Sequence, residues 1–114
     1  MKYMLLIYSS EARDEFAKLS EEEQNAVFGE YMAISDQPDV IGGDQLQPTD
    51  TATTVRVADG ETLTTDGPFS ETKEVLGGYY MLEADNLDRA LEIAARIPAA
   101  RMGGAIEVRP LVER

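Results

Sequence analysis

The stretch Tyr3-Met4-Leu5-Leu6-Ile7-Tyr8 alternates aromatic, β-branched and aliphatic residues, which predicts a buried β-strand. Successive side chains of a strand point to opposite faces, so this strand is apolar on both sides. Tyr3, Leu5 and Ile7 share one face, while Met4, Leu6 and Tyr8 share the other. A strand of this kind needs cover above and below its sheet.

A second stretch, Leu76–Glu83, predicts another strand that is apolar on both faces. One face carries Gly78, Tyr80 and Leu82, and the other carries Tyr79 and Met81. The pair Gly77-Gly78 indicates a bulge or a close approach of the backbone. Two interpretations remain open there: tight packing under a helix, or a ligand lying over the glycines.

Two helices are predicted, and each has a clear start and stop. Ser20-Glu21-Glu22-Glu23 is a capping box, and Pro38 ends the helix that follows it. Asp85 or Asn86 caps the second helix, which Pro98 ends. The predicted core stripes are Val27, Tyr31 and Ile34, widened by Phe28 and Met32, in the first helix, and Leu87, Ala90, Leu91 and Ala94 in the second.

The remaining segments predict short elements and turns. The charged segment Ser9–Leu19 is predicted to be a loop, and Ile41–Pro48 a weak strand or a connection. Thr53–Val57 and Thr62–Thr65 predict an antiparallel hairpin around the turn Asp59-Gly60. Asp66–Glu74 predicts a tight turn leading into a short helical turn, and Ala105–Arg109 predicts a last short strand.

The order of these elements predicts an α+β fold, the ferredoxin-like split βαβ arrangement with an added β-hairpin. Two helices cover only one face of the sheet, although its main strands are apolar on both. We therefore predict that a second copy packs on the other face about a two-fold axis. The alternative is a monomer whose apolar face forms a ligand cleft.

Composition excludes several classes of function. The chain has 114 residues, the size of one domain over 1–114, with 43% hydrophobic and 28% charged residues. Its net charge of −12 opposes direct binding of nucleic acid or an anionic membrane. Without cysteine or histidine it lacks a thiol nucleophile, a serine–histidine triad and the ordinary zinc ligands. We expect no metal and no cofactor.

No apolar run is long enough to span a bilayer and no leader pattern is evident, so a cytoplasmic location is expected.

Candidate site residues concentrate in Thr65–Glu74, which mixes turn chemistry with ionisable groups. Asp66 caps the following backbone N–H groups on one interpretation, and acts as a general acid or base beside Phe69 on the other. The other candidate ligand contacts are Gly67, Pro68, Phe69, Lys73, Gly78 and Tyr80.

The last residues of the chain carry an excess of arginine. Arg96, Arg101, Arg109 and Arg114 stand against Glu107 and Glu113, in a chain that is otherwise acidic. These arginines either pair with the acidic first half of the chain or receive an anionic ligand.

The chain resembles the DGPF-domain branch of the YCII-related proteins. The resemblance rests on Thr65–Glu74 and Leu76–Tyr80, and extends to Met1–Tyr8, Gly42–Pro48, Thr51–Arg56 and Glu107–Pro110. It implies a dimeric α/β barrel of ferredoxin-like subunits. Relatives often have histidine in a segment that here is Ala99-Ala100-Arg101-Met102-Gly103, so Met102 replaces that histidine and histidine-dependent catalysis is excluded.

The resemblance also carries expectations about function. Members of the branch are often encoded beside extracytoplasmic-function sigma factors, and a histidine–aspartate pair in a cleft has suggested an enzymatic role in the family. Asp66 and Arg101 are the positions carried over, as ligand contacts. We expect a homodimeric module that binds a small anionic or polar molecule or serves a sigma-factor-controlled stress response. The alternative is a small cofactor-free enzyme in which Asp66 is the general acid or base.

Overall fold

The structure is a computed structural model that describes residues 1–9, 11–69 and 74–114, with residues 11–13 described by their backbone only. Its helices and strands follow one another in chain order. They are β1 (Lys2–Tyr8), α1 (Glu11–Ala17), α2 (Glu21–Ser35), β2 (Val40–Gln45), β3 (Thr53–Ala58), β4 (Glu61–Asp66), β5 (Leu76–Glu83), α3 (Leu87–Arg96) and β6 (Ala105–Pro110).

Four of the strands form an antiparallel sheet in the order β2-β5-β1-β6. With β3 and β4 set aside, this is the strand order of a ferredoxin-like fold, as the sequence predicts. The strands β3 and β4 pair only with each other and form a separate hairpin. Its turn is Asp59-Gly60, whose φ angles of 51° and 78° are those of the tight turn that this dipeptide favours.

The two central strands, β1 and β5, divide their side chains between the faces as predicted. Leu5 lies opposite Tyr80 on one side and Val108 on the other, and this face packs against α2 and α3. The largest fully buried side chains belong to this layer: Tyr3, Leu5, Leu82, Ile93, Ile97 and Pro98. We call the opposite face, which carries Met4, Leu6, Tyr8, Tyr79 and Met81, the open face; these five side chains are half-buried.

The prediction of a loop over Ser9–Leu19 is wrong, because α1 lies there. Its anchor is a contact between distant residues: the rings of Phe16 and Phe28 meet edge to face, 5.3 Å apart. The Gln24 side chain also donates to the carbonyl oxygens of Phe16 and Leu19, at 3.2 and 3.3 Å. These contacts join α1 to α2 and compensate for its charged sequence.

The predicted stripe of α3 is partly wrong. Leu87 and Leu91 are 47% and 46% exposed, whereas Ile93 is fully buried together with Ile97 just beyond the helix. The face of α3 that meets the sheet is centred on Ala90 and Ala94, small residues that let the backbone approach closely. Of the five predicted residues in α2, Val27 and Ile34 are buried, Tyr31 is half-buried, and Phe28 and Met32 are 51% and 65% exposed.

Capping and one ion pair fix the ends of these helices. The Ser20 hydroxyl accepts from the Glu23 backbone and the Glu23 carboxylate accepts from the Ser20 backbone, which confirms the capping box. Arg89 of α3 donates to both carboxylate oxygens of Asp39 just before β2, at 3.0 and 3.3 Å. The hydrogen bonds from Arg89 lower the pKa of Asp39 below its ordinary value. Within the part of the chain that the structure describes, no helix is long and apolar enough to cross a membrane.

The revised stripe of α3 is testable with two neighbouring positions. Ile93→Ala leaves a cavity in the core and is expected to lower the free energy of unfolding by about 2–4 kcal/mol. Leu91→Ala removes a comparable side chain from an exposed position and should cost less than about 1 kcal/mol. Urea denaturation followed by circular dichroism measures both. A larger loss for Leu91→Ala than for Ile93→Ala would contradict this orientation of α3.

Candidate functional site

A cleft lies between α2 and the part of the sheet where β2 ends and β5 begins. Its volume is about 580 Å³, within the range of small-molecule sites. Its walls are mainly apolar and aromatic, and we call it the tyrosine cleft. It is lined by Ile7, Ser9, Phe16, Val27, Phe28, Tyr31, Met32, Ser35, Gly43, Asp44, Gln45, Leu46, Gly77, Gly78, Tyr79, Tyr80, Ala99 and Met102.

Two glycines form part of the cleft at a place where β2 and β5 approach each other closely. A Cβ at Gly43, where φ is +148°, would lie 2.5 Å from the carbonyl oxygen of Tyr79. A Cβ at Gly78 would lie 3.1 Å from the carbonyl oxygen of Asp44. At Gly78 the close contact is with the backbone of the neighbouring strand β2 and not with a helix, and it leaves the cleft beside Gly78 without a side chain.

The polar groups of the tyrosine cleft include hydroxyls held around one carbonyl. The Tyr80 hydroxyl donates to the carbonyl oxygen of Tyr31 at 3.1 Å, and the Ser35 hydroxyl donates to the same oxygen at 3.2 Å. Burial raises the pKa of both Tyr31 and Tyr80. Both phenols therefore stay protonated at neutral pH and serve as hydrogen-bond donors, and neither is a base.

Met102 occupies the position at which similar proteins often have histidine. It packs against the core and lines the tyrosine cleft. A thioether is a weak hydrogen-bond acceptor and cannot transfer protons. This position therefore contributes apolar surface to the cleft in place of acid–base chemistry.

Arg101 lines a different cleft, of about 630 Å³, between α1, α2 and the segment after α3. Its guanidinium group lies 2.6 Å from the Glu30 carboxylate. Several further acids line this second cleft, among them Asp14, Glu15 and Glu23. For Arg101, the structure thus shows the pairing with the acidic first half of the chain that the sequence left as one of two interpretations.

The segment that suggested chemistry, Asp66–Phe69, lies at the base of the β3–β4 hairpin. The Gly67 N–H donates to the carbonyl oxygen of Ala52 at 2.7 Å, and the Thr54 hydroxyl donates to the carbonyl oxygen of Gly67 at 2.8 Å. Gly67 has a φ of +103°, a conformation that glycine adopts easily. The Arg56 guanidinium lies over the ring of Phe69, 4.8 Å from its centre.

The predicted site residues are thus divided between separate places. Gly78 and Tyr80 line the tyrosine cleft and Arg101 lines the second cleft, while neither of these clefts includes Asp66, Gly67, Pro68 or Phe69 among its described lining residues. Lys73 and the helical turn predicted around it fall outside the described residues. No group of three or more acidic side chains within 1–9, 11–69 and 74–114 is arranged to hold a metal ion.

Comparison with known proteins identifies the family. The sequence model of the YCII-related domain matches residues 1–114. The chain belongs to the YCII-related family. An uncharacterized protein of Rhizobium meliloti (strain 1021) is 37% identical to this YCII-related chain over 116 residues, which cover 97% of the chain and 92% of the relative.

A solved structure supports the fold of this YCII-related protein. It is 5-chloro-2-hydroxyhydroquinone dehydrochlorinase (TftG) from Burkholderia phenoliruptrix AC1100, in complex with 2,5-dihydroxybenzoquinone. The two match with a TM-score of 0.53 over 100% of this chain and 96% of TftG. Their sequences are only 12% identical, so the similarity is one of fold.

Several residues of the tyrosine cleft are not predicted from the sequence. The sequence pattern places Tyr31, Phe28 and Met32 in the core stripe of α2, and Gly43 in a weak strand or connection. One signal was available: the stripe of α2 is wider than two buried residues need, and its margin carries the large apolar side chains Phe28 and Met32. An over-wide apolar stripe indicates surface that faces a cleft as well as a core.

The protonation of the cleft tyrosines is open to direct measurement. Their raised pKa values mean that folding favours the neutral phenols, so this contribution to stability is present below the ordinary pKa of about 10. It is lost as the pH rises through the higher folded values. In an NMR titration with ring-labelled tyrosine, the signals of Tyr31 and Tyr80 should remain those of neutral phenols beyond pH ~10. Tyr31→Phe and Tyr80→Phe assign the two signals, and ionisation of either at or below that pH would contradict the burial argument.

Proposed function

We propose that this YCII-related protein binds a small aromatic molecule bearing hydroxyl groups, and that the tyrosine cleft is its binding site. The observation that carries the proposal is the chemistry of the lining. Aromatic and aliphatic walls surround a few hydroxyls, two of which are phenols kept neutral by burial. No arginine or lysine is among the described lining residues, so the cleft favours a polar, uncharged ligand over an anion.

The fold neighbour supports the shape of this ligand, a flat six-membered ring with oxygen substituents, and not its charge. The TftG structure holds 2,5-dihydroxybenzoquinone, a six-membered ring with oxygen substituents. A flat ring of this size can pack against apolar side chains such as Phe28 and Tyr31 on α2, and its hydroxyls can exchange hydrogen bonds with phenols and backbone groups. At 12% identity, this likeness supports the proposal only at the level of the fold.

Hydroquinone is a suitable neutral probe, and amide NMR spectra show where it binds. We expect concentration-dependent shifts of the Gly43, Gly78 and Tyr80 signals, with the signals of the β3–β4 hairpin unchanged. The ionised 2,5-dihydroxybenzoquinone should bind more weakly, because no arginine or lysine is among the described lining residues to pair with its charge. Shifts confined to residues outside the cleft would refute the assignment of the site.

A pair of matched variants tests the contribution of one hydroxyl. Tyr31→Phe removes a hydrogen-bond donor from the cleft and should weaken hydroquinone binding about three- to tenfold. Tyr3→Phe is the control, since its hydroxyl contacts the Met1 sulfur at 3.6 Å and lies away from the cleft. Equal affinities for Tyr31→Phe and the native protein would remove Tyr31 from the proposed contacts.

A second candidate function is catalysis with Asp66 as general acid or base, because the fold neighbour is an enzyme. Binding is preferred because Asp66 and Phe69 are both exposed, and an acid–base catalyst works in a site that excludes water. Asp66→Asn distinguishes the two functions in the same samples: it should leave hydroquinone binding unchanged. If chlorohydroquinone loses chloride in the presence of the native protein, and Asp66→Asn abolishes the reaction while binding persists, catalysis is the function.

We propose that the working form is a homodimer joined through the open face. Its five apolar side chains lie beside a neutralised pair on the edge strand β6, where Arg109 donates to both oxygens of Glu107 at 2.8 Å. Opposite strand partners place this pair beside Met4 and Leu6. An apolar surface of low net charge is what two copies of so acidic a chain need in order to approach each other.

Sedimentation equilibrium at micromolar concentration measures the proposed dimer. The native protein should sediment at twice the subunit mass of 12.5 kDa. Leu6→Lys introduces a charge into the open face and should give a folded monomer, whereas Leu91→Lys on the exposed side of α3 should remain dimeric. If Leu6→Lys and Leu91→Lys both sediment as dimers, the open face is not the interface.

Three finer assignments complete the proposal. The DGPF branch is supported by Thr65–Glu74 with Leu76–Tyr80, and a single domain over 1–114 by the length of the chain. A cytoplasmic accessory role in a sigma-factor-controlled stress response rests on the resemblance to that branch. A sigma-factor gene beside the coding sequence would support it, and the absence of one would argue against it.

A further inference from the structure

The β3–β4 hairpin, Thr53–Asp66, is the part of the molecule that neither the core nor the tyrosine cleft uses. It is hydrogen-bonded as its own two-stranded sheet, and a hairpin alone is at best marginally stable in water. Its apolar side chains are exposed to an unusual degree. The exposed fractions are 60% for Val55, 70% for Val57 and 46% for Leu63.

One face of the hairpin is almost free of charge. Strand partners place Thr53, Val55 and Val57 beside Asp66, Thr64 and Thr62, so Asp66 is its one ionisable residue and lies at its end. We call this the Val/Thr face. The other face carries Arg56 and Glu61, as expected of a surface that stays in water. In a chain with 28% charged residues and a net charge of −12, an exposed face with a single charge at its end calls for a partner.

The dimensions of the subunit indicate how large that partner surface is. A compact monomer of 12.5 kDa exposes roughly 6,200 Å², whereas this chain exposes 7934 Å². Its radius of gyration is 16.0 Å, against about 13 Å for a compact chain of this length. The excess of about 1,700 Å² matches the area, about 1,000–2,500 Å² per copy, that stable homodimers bury.

We infer that the β3–β4 hairpin is an arm that packs its Val/Thr face on a second copy of this chain, within the dimer proposed above. Charge selects the second copy and the surface it uses. The α1–α2 side of the molecule carries Glu21, Glu22, Glu23 and Glu30, which repel another acidic subunit. Among the described surfaces, the open face and the Val/Thr face are those where two such subunits can meet with little repulsion between like charges.

Two neighbouring substitutions on β3 test the arm. Val57→Lys changes the Val/Thr face, and Ala58→Lys adds the same charge to the opposite face of the same strand. Each lowers the net negative charge by one, so general repulsion between copies decreases in both. In sedimentation equilibrium we expect Val57→Lys to weaken dimerisation at least tenfold and Ala58→Lys to leave it within twofold of the native value.

Hydrogen exchange provides a second measurement that does not depend on a variant's folding. In the native dimer the amides of Thr53–Asp66 should be protected, and dilution to the monomer should remove that protection while the β1–β5 amides keep theirs. Dimers of native strength with Val57→Lys, or hairpin protection that persists in the monomer because the arm folds onto its own subunit, would overturn the inference. If Leu6→Lys yields monomers while Val57→Lys does not, the open-face dimer stands and the arm is wrong. A native protein that sediments as a monomer would refute both.

Discussion

The constraint on which this structure depends is that β1 and β5, the two central strands, are apolar on both faces. One face is satisfied within the chain, because α2 and α3 bury Tyr3, Leu5 and Leu82 beneath them. The other face has no layer of its own in the described chain, since both of these helices lie on one side. A ferredoxin-like sheet that is apolar on both sides leaves one face without cover from these helices, and the proposed second copy would supply that cover.

The tyrosine cleft follows from a second feature of the same sheet. Gly43 and Gly78 allow β2 to approach β5 closely, and neither glycine fills the space between the sheet and α2. Tyr80 is oriented by its hydrogen bond to the Tyr31 carbonyl, and this bond also links the sheet to α2. The cleft is thus built on rigid elements, in contrast to the exposed Asp66–Phe69 segment, which local turn bonds hold at the base of the hairpin. A binding site needs rigid walls of this kind, which favours the cleft as the site.

Local pattern predicted much of this fold, and distant contacts account for the rest. Alternation assigned the two faces of β1 and β5, the capping box placed the start of α2, and Asp59-Gly60 placed the hairpin turn. The helix α1 was not predicted because the contact that stabilises it, between the rings of Phe16 and Phe28, involves a residue outside the helix's own sequence pattern. The rotation of α3 escaped it because Leu91 and Ile93 are equally apolar, and only packing against the sheet selects Ile93. The cleft brings together Tyr31 of α2, Gly43 of β2 and Tyr80 of β5. No local sequence motif predicts this combination.

Asp66 links the two roles proposed for the hairpin, which are contact with a second copy and catalysis. It lies at the end of the Val/Thr face, opposite Thr53, so contact with a second copy over that face would bring its carboxylate to the edge of an interface. An aspartate there loses water on one side, and loss of water is what an acid–base group requires before it differs from an ordinary surface carboxylate. Within one subunit Asp66 has no such environment. Catalysis by Asp66 would therefore require the proposed dimer, whereas the proposed binding in the tyrosine cleft would require only contacts inside one subunit, and dissociating the dimer without unfolding the chain would separate the two.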